Sequence, residues 1–197
     1  PDNYRIAFTP NPAHNMVPKS QIAINDLVLE EIDRYWLDYQ SAYFTKEGKI
    51  KAYNQMIGNV PQLIEFGTYL PPTNLILPIP FFFARDISQA LKVCCLSLND
   101  IRQTHEIQSD LSKLLRLQKF NRGEKCWQDV NPANIANYVQ LDKGGDFSLK
   151  MPDCWGDYVY VTNEERDWHT NMSIDVAIQQ VHKADTTPAN GNGVVKQ

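Results

Sequence analysis

Apolar positions are unevenly spaced along this chain, and the spacing changes character several times. The longest apolar segment is 75–98, LILPIPFFFARDISQALKVCCLSL. A membrane span needs about 20 consecutive apolar residues, whereas Pro78, Pro80, Arg85, Asp86 and Lys92 interrupt this one. It therefore reads as buried soluble structure. Pro78 and Pro80 cannot donate to a ladder, which suits an edge or the start of a strand, and Phe81, Phe82 and Phe83 supply β-propensity. The expectation is two strands joined at an Arg85-Asp86 corner, the second returning through Val93 to Leu98.

Over 21–25, Ile22 and Ile24 alternate, and Asn25-Asp26 offers turn chemistry before Leu27, Val28 and Leu29: strand, turn, strand. From Glu30 the spacing shifts to Ile32, Trp36, Tyr39 and Tyr43, with Glu31, Asp33, Arg34 and Asp38 opposite, which predicts an amphipathic helix to about Phe44. Its aromatic face reads as packing against a sheet. Residues 45–51 are polar and should end that helix. The region up to Asn74 is turn-rich, with at most one short strand near 66–70. Residues 1–20 carry Pro1, Pro10, Pro12 and Pro18 and read as loop, with His14 alone on the surface.

Further on, Ile101, Gln103, His105 and Ile107 alternate with Arg102, Thr104 and Glu106 as a strand of mixed polarity. Residues 109–119 fit a short helix capped by Ser109 or Asp110, with Leu111, Leu114 and Leu115 inward, or a strand continuation. Residues 120–150 are polar and loop-like. A strand is expected over 157–161, with Tyr158 and Tyr160 on one face, and Thr162 with Glu165 matches a capping box for a short helical turn. Residues 174–182 suit another strand, and the tail from Thr186 is loop. Short strands with irregular, proline-rich connections point to an all-β fold with short helices in the loops.

With 197 residues, one good core or one domain plus part of another is possible. The net charge of −4 provides no global field for a polyanion. The densest basic run, Lys113, Arg116, Lys119, Arg122 and Lys125, reads as a solvated helix and loop, so no specific nucleic-acid binding is expected. Cys94, Cys95, Cys126 and Cys154 form no CxxC pair; adjacent strand cysteines face opposite ways, so buried free thiols in a reducing compartment are expected. No signal-peptide pattern opens the chain. The chain starts at Pro1 rather than Met, which suggests a central fragment of a longer protein.

Catalytic signatures are missing from the sequence: no P-loop, GxGxxG, HExxH or GxSxG. His14, His105, His169 and His182 are dispersed, and zinc spacing is absent. His105 and Glu106 would point to opposite faces of a strand, which argues against a shared general-base role. Glu164 and Glu165 read as a helix start, not an acid pair. No catalytic, metal or cofactor site is predicted, and no cofactor. Tryptophans and tyrosines could line a sugar platform, and core or interface packing explains them as well.

Several segments resemble the major capsid proteins of nucleocytoplasmic large DNA viruses. The segment 79–93, IPFFFARDISQALKV, is similar to that family's L-P-F-W-F-C-R-N-P-G-L-A-L-P-L. Residues 155–166, WGDYVYVTNEER, resemble W-V-D-Y-I-Y-L-D-T-D-E-R. Tyr53-Asn-Gln-Met-Ile-Gly58 is similar to Y-x-x-M-I-G, and Ile178-Gln-Gln-Val181 to I-E-Q-L, all in the family's order. Phe82 stands where the family has Trp, and Ile87, Ser88 and Lys92 replace Pro, Gly and Pro. These departures suggest a divergent member, in the direction of the asfarvirus-like viruses.

The resemblance implies a double jelly-roll: two β-sandwiches in one chain, with three chains forming a pseudo-hexagonal capsomer of an icosahedral shell. Residues 1–110 would be the C-terminal half of the first jelly-roll, 111–150 a junction, and 151–197 the start of the second. Implied partners are the other two copies of a homotrimer, neighbouring capsomers, minor capsid proteins and an internal membrane. The implied location is the virion, assembled in the host cytoplasm. No residue would perform chemistry. Pro80 would sit in the motif, Phe81, Phe82 and Phe83 would anchor a core, and Arg85 and Asp86 would fix a corner. Asp157, Tyr158, Tyr160, Glu165 and Arg166 would set the geometry where the second sandwich begins. A jelly-roll carbohydrate-binding or attachment module is the alternative.

Overall fold

The structure is a computed structural model that describes residues 3–96, 98–108, 110–131, 133–134, 138, 152–172 and 175–184. Strands β2 (Lys19–Ile24) and β3 (Leu27–Asp33) form the expected hairpin around Asn25-Asp26. Asn25 takes the left-handed conformation, φ 54°, that a tight two-residue turn demands. Strand β4 (Ile101–Glu106) pairs on the other side of β2, giving the order β3-β2-β4. The alternation read from 101–107 is thus a real strand.

The helix expected from Glu30 starts four residues later. Glu30 and Ile32 keep the period of two and are both buried on the inner face of β3. Helix α2 (Arg34–Tyr43) begins only after Asp33, whose carboxylate accepts the Trp36 N–H at 2.8 Å. Its aromatic stripe packs less than expected: Trp36 lies against the core, whereas Tyr39 and Tyr43 are exposed.

A second antiparallel sheet, in the order β1-β5-β6, joins the first described strand to residues 115–129. It consists of β1 (Tyr4–Phe8), β5 (Leu115–Asn121) and β6 (Cys126–Asp129). Two expectations are corrected here. Residues 1–20 are not only loop, since they hold β1 and the short helix α1 (Pro12–Met16). Residues 120–150 are not only linker, since a hairpin runs through 129. Five residues of β1 carry too little periodicity to stand out beside four prolines. The helix-or-strand ambiguity over 109–119 resolves into both, with α6 (Leu111–Leu114) leading directly into β5.

The turn-rich region after Thr45 holds two helices that spacing alone did not indicate, α3 (Glu47–Ile57) and α4 (Pro61–Ile64). Gly58 ends α3 at φ +81°, a conformation that glycine adopts without strain. The strand suspected near 66–70 is reduced to one bridge, Gly67 to Ile6.

The segment 75–98 also departs from expectation. Its described residues hold no strand pair. It runs extended into α5 (Phe82–Arg85) and continues through 3-10 turns at Ile87–Gln89 and Val93–Cys95. Prolines deny it ladder donors, and the Phe82 N–H finds a side-chain acceptor, Glu30 Oε2 at 2.7 Å, in place of a ladder partner. Phe81 and Phe82 join Ile22, Ile32 and Leu37 in one core cluster. Leu114, Leu115 and Leu117 form another, packed by Tyr4, Ile6 and Phe8.

Toward the end of the chain, α7 (Asn163–Asn171) begins with the expected cap, Thr162 Oγ1 accepting from the Glu165 N–H at 3.3 Å. Residues 157–161 and 175–182 form no strand, while residue 174 and the tail from Thr186 lie outside the described residues. The fold is one of antiparallel sheets with short helices between them. No helix among the described residues is long and apolar enough to cross a membrane.

Candidate functional site

Burying a carboxylate is costly unless it is paired and hydrogen-bonded. Glu30 on β3 is fully buried and meets both conditions. Its Oε2 accepts the Phe82 N–H at 2.7 Å, and its Oε1 accepts the Val181 N–H at 3.0 Å as well as the Arg85 guanidinium. Arg85 in turn donates from Nε to the Pro80 carbonyl at 2.7 Å and from Nη1 to the Gln179 carbonyl at 3.1 Å. Three remote segments are thereby fastened at one point: the edge of the β3 sheet, the turn at 80–85, and the extended strap 179–183.

A second tie lies beside it. Lys183 Nζ contacts Asp33 Oδ2 at 2.8 Å. Burial pushes the Asp33 carboxyl up, but the Lys183 ammonium and the Trp36 and Tyr35 N–H groups outweigh it and hold the carboxyl below its ordinary range. The Asp33 carboxylate likewise raises Lys183. Asp86, at the corner, is exposed and accepts the Ser88 N–H at 2.8 Å, which lowers its pKa; the ion pair of Arg85 is with Glu30 instead.

Of the residues singled out in the sequence, the structure brings together Pro80, Phe81, Phe82, Phe83 and Arg85. The Phe81 and Phe83 rings stack at 5.6 Å, and Phe82 and Phe83 meet edge to face at 5.3 Å. Asp157, Tyr158, Tyr160, Glu165 and Arg166 do not converge. The first three lie on an exposed, unpaired stretch, and the last two open α7. Glu30 was missed because a glutamate at the edge of a polar run looks solvated, and its partners are 52 or more residues away.

His14, expected on the surface, is buried. Its Nδ1 lies 2.6 Å from Asp38 Oδ1 and its Nε2 3.0 Å from the Tyr53 hydroxyl, joining α1, α2 and α3. Burial and the Asp38 charge raise the Tyr53 pKa, so the phenol keeps its proton and can donate it to His14. The cysteines also differ from expectation: Cys94 is half-buried in a 3-10 turn, and Cys95, Cys126 and Cys154 are exposed, all as free thiols. Among the described residues no cluster of three metal-ligating side chains occurs. The site is a mechanical joint built on a buried ion pair.

Residues 2–162 match the family model described as the major capsid protein N-terminus. The major capsid protein of Invertebrate iridescent virus 6 is 34% identical over 195 residues, which cover 92% of this chain and 39% of the relative. That of Lymphocystis disease virus 1 (isolate Darai) is 32% identical over 186 residues, covering 93% and 38%. That of Frog virus 3 (isolate Goorha) is 32% identical over 202 residues, covering 96% and 40%. The chain thus spans about two fifths of the length of the curated relatives it matches. By the breadth of the family match and the identity to these relatives, the chain belongs to the major capsid protein family of the nucleocytoplasmic large DNA viruses.

Proposed function

We propose that this chain is part of a structural capsid protein that assembles as a homotrimer into pseudo-hexagonal capsomers of an icosahedral shell, within the virion. The observation carrying this reading is that the relatives 32–34% identical to it over 92–96% of its residues are themselves major capsid proteins. Two antiparallel sheets with helices between them are compatible with a jelly-roll, the fold proposed here for the first unit. In this reading that unit extends past residue 110, because β1 takes β5 as its sheet neighbour and β6 joins the same sheet on the far side of β5. The Glu30 and Arg85 joint suits a protein whose task is to keep its shape. Further proposed partners are neighbouring capsomers, minor capsid proteins and an internal membrane, and assembly is placed in the host cytoplasm.

The test is the native mass of the full-length protein, measured by light scattering after size-exclusion chromatography. A trimer with hexagonal outlines under negative stain is the expected result. A stable monomer would sink the capsomer reading and make glycan arrays the next measurement, since the exposed Tyr39 and Tyr43 rings, 4.8 Å apart, could stack on a sugar.

A further inference from the structure

Between residues 4 and 129 the chain passes from one sheet to the other twice, through residues 9–18 from β1 to β2 and through residues 107–114 from β4 to β5. These two connections are tied to each other near both sheets. Beside the β1-β5-β6 sheet, the Thr9 N–H and hydroxyl both donate to the Leu114 carbonyl, at 2.9 and 3.2 Å. Beside the β3-β2-β4 sheet, the Gln108 N–H donates to the Met16 carbonyl at 2.8 Å. His105 stands three residues before that second tie.

Register places His105 on the core face of its sheet. It lies opposite Ser20, which lies opposite Ile32, and both of these are buried. Ile101, on the same face of β4, packs against the core that holds Ile22 and Ile32. The His105 ring is half-buried with its Nδ1 3.0 Å from the Ser20 hydroxyl, and burial alone lowers its pKa from 6.5. No carboxylate offsets that burial, because the charged groups of the neighbouring elements are engaged elsewhere. On the core face Glu30 is paired with Arg85, and Asp38 of α2 meets His14 of α1. On the opposite face Lys19 is paired with Glu31, Asp33 with Lys183 and Arg102 with Asp100. Glu106 projects to that opposite face too, where its charge acts on Lys19. Beyond the strand, Asp110 donates its N–H to Gln108 Oε1 at 3.2 Å, and Lys113 of α6 is an exposed cation. A proton on His105 therefore puts a cation at the core face without a counter-charge, which is the costly case. A further segment packed over the ring would deepen the burial and strengthen the effect.

The other end of β4 is built without a titrating group in its ties. The Asn25 N–H donates to the Asp100 carbonyl at 2.7 Å, the Asp100 N–H to Asn25 Oδ1 at 3.0 Å, and Asn25 Nδ2 to Asn99 Oδ1 at 2.8 Å. Acid thus acts on one end of the strand only. An opened His105 end exposes the ring to water, where it takes a proton more readily than in the closed strand. Opening is therefore favoured increasingly as pH falls below 6.5 and is not favoured above it.

We propose that His105 is an acid-operated release for the hinge between the two sheets: when it takes up a proton, the Gln108 end of β4 detaches from β2 and from Met16, and the sheets gain freedom to move. The Asn25 end of β4 and the pairing of β1 with β5 stay closed. The device is internal to one chain and independent of the trimeric reading above.

Amide hydrogen exchange of the full-length protein at pH 7.5 and pH 5, read by mass spectrometry and corrected for the intrinsic pH dependence of exchange, tests it. Peptides covering 103–108 should exchange at least about threefold faster at pH 5, with 116–120 unchanged, and His105→Asn should abolish the difference. No gain at 103–108 overturns the proposal, as does an equal gain at 116–120, which would mean that acid loosens the whole fold. A gain that persists in His105→Asn overturns it as well. Gln103→Glu, at an exposed position on the same face of β4, supplies the missing counter-charge without touching the ring. It should shrink the gain at pH 5, and an undiminished gain would count against the release.

Discussion

A buried charge is worth most when its partner cannot be replaced by water. Removing Arg85 leaves the Glu30 carboxylate with two backbone donors and no cation, and deletions of this kind cost about 3–5 kcal/mol. Arg85→Ala in the full-length protein is therefore expected to lower unfolding stability by about that amount in a urea titration. A loss under about 1 kcal/mol would show that the joint is not a stabilising element. Arg85 was legible from the sequence as part of a motif, and Glu30 was not, because nothing local distinguishes a glutamate bound for the interior. His105 gives a second prediction. Burial lowers its pKa from 6.5, with Ser20 Oγ 3.0 Å from its Nδ1. Between its folded value and 6.5 the unfolded chain binds the proton more readily, so stability is intact above pH 6.5 and is lost as pH falls toward the folded value. A melting temperature measured from pH 8 to pH 5 should fall on the acid side, and His105→Asn should flatten that fall.

Elements with strong local signals were read correctly: the Asn25-Asp26 hairpin, β4, and the capped start of α7. Those whose identity depends on tertiary partners were not. Helix α3 has a glycine in its first turn and a mixed polar sequence, and it is stabilised where it meets Leu75 and Pro12 near Gly58. Gly58→Ala would combine a positive φ with a Cβ only 2.7 Å from Leu75 Cδ2, so Leu75 would have to move. The expected cost is at least about 1 kcal/mol, measurable as a drop in melting temperature. An unchanged melting temperature would mean that the turn after α3 adapts freely. The stretch 75–98 failed as a strand prediction for a comparable reason. Phe81 and Phe82 lie in a core cluster with Phe83 packed against it, and such burial is equally available to a proline-stiffened irregular segment.

For the whole molecule, the order of family-like motifs was more informative than periodicity, because motifs survive where elements are short. Periodicity alone could not foresee that β1 belongs with β5, since no local pattern encodes a partner more than a hundred residues away. That pairing has a consequence in time. Tyr4 lies opposite Lys119 and Phe8 opposite Leu115. During synthesis at about 5–20 residues per second, the first strand waits on the order of 5–20 s before the residues that will cover it exist. Until then Ile6 and Phe8 have no sheet neighbour in β5. Long-range pairings of this kind make folding slow and leave the unfinished chain prone to association. The nascent polypeptide therefore passes through an interval in which a chaperone, or an unwanted neighbour on the same polysome, meets β1 before β5 does.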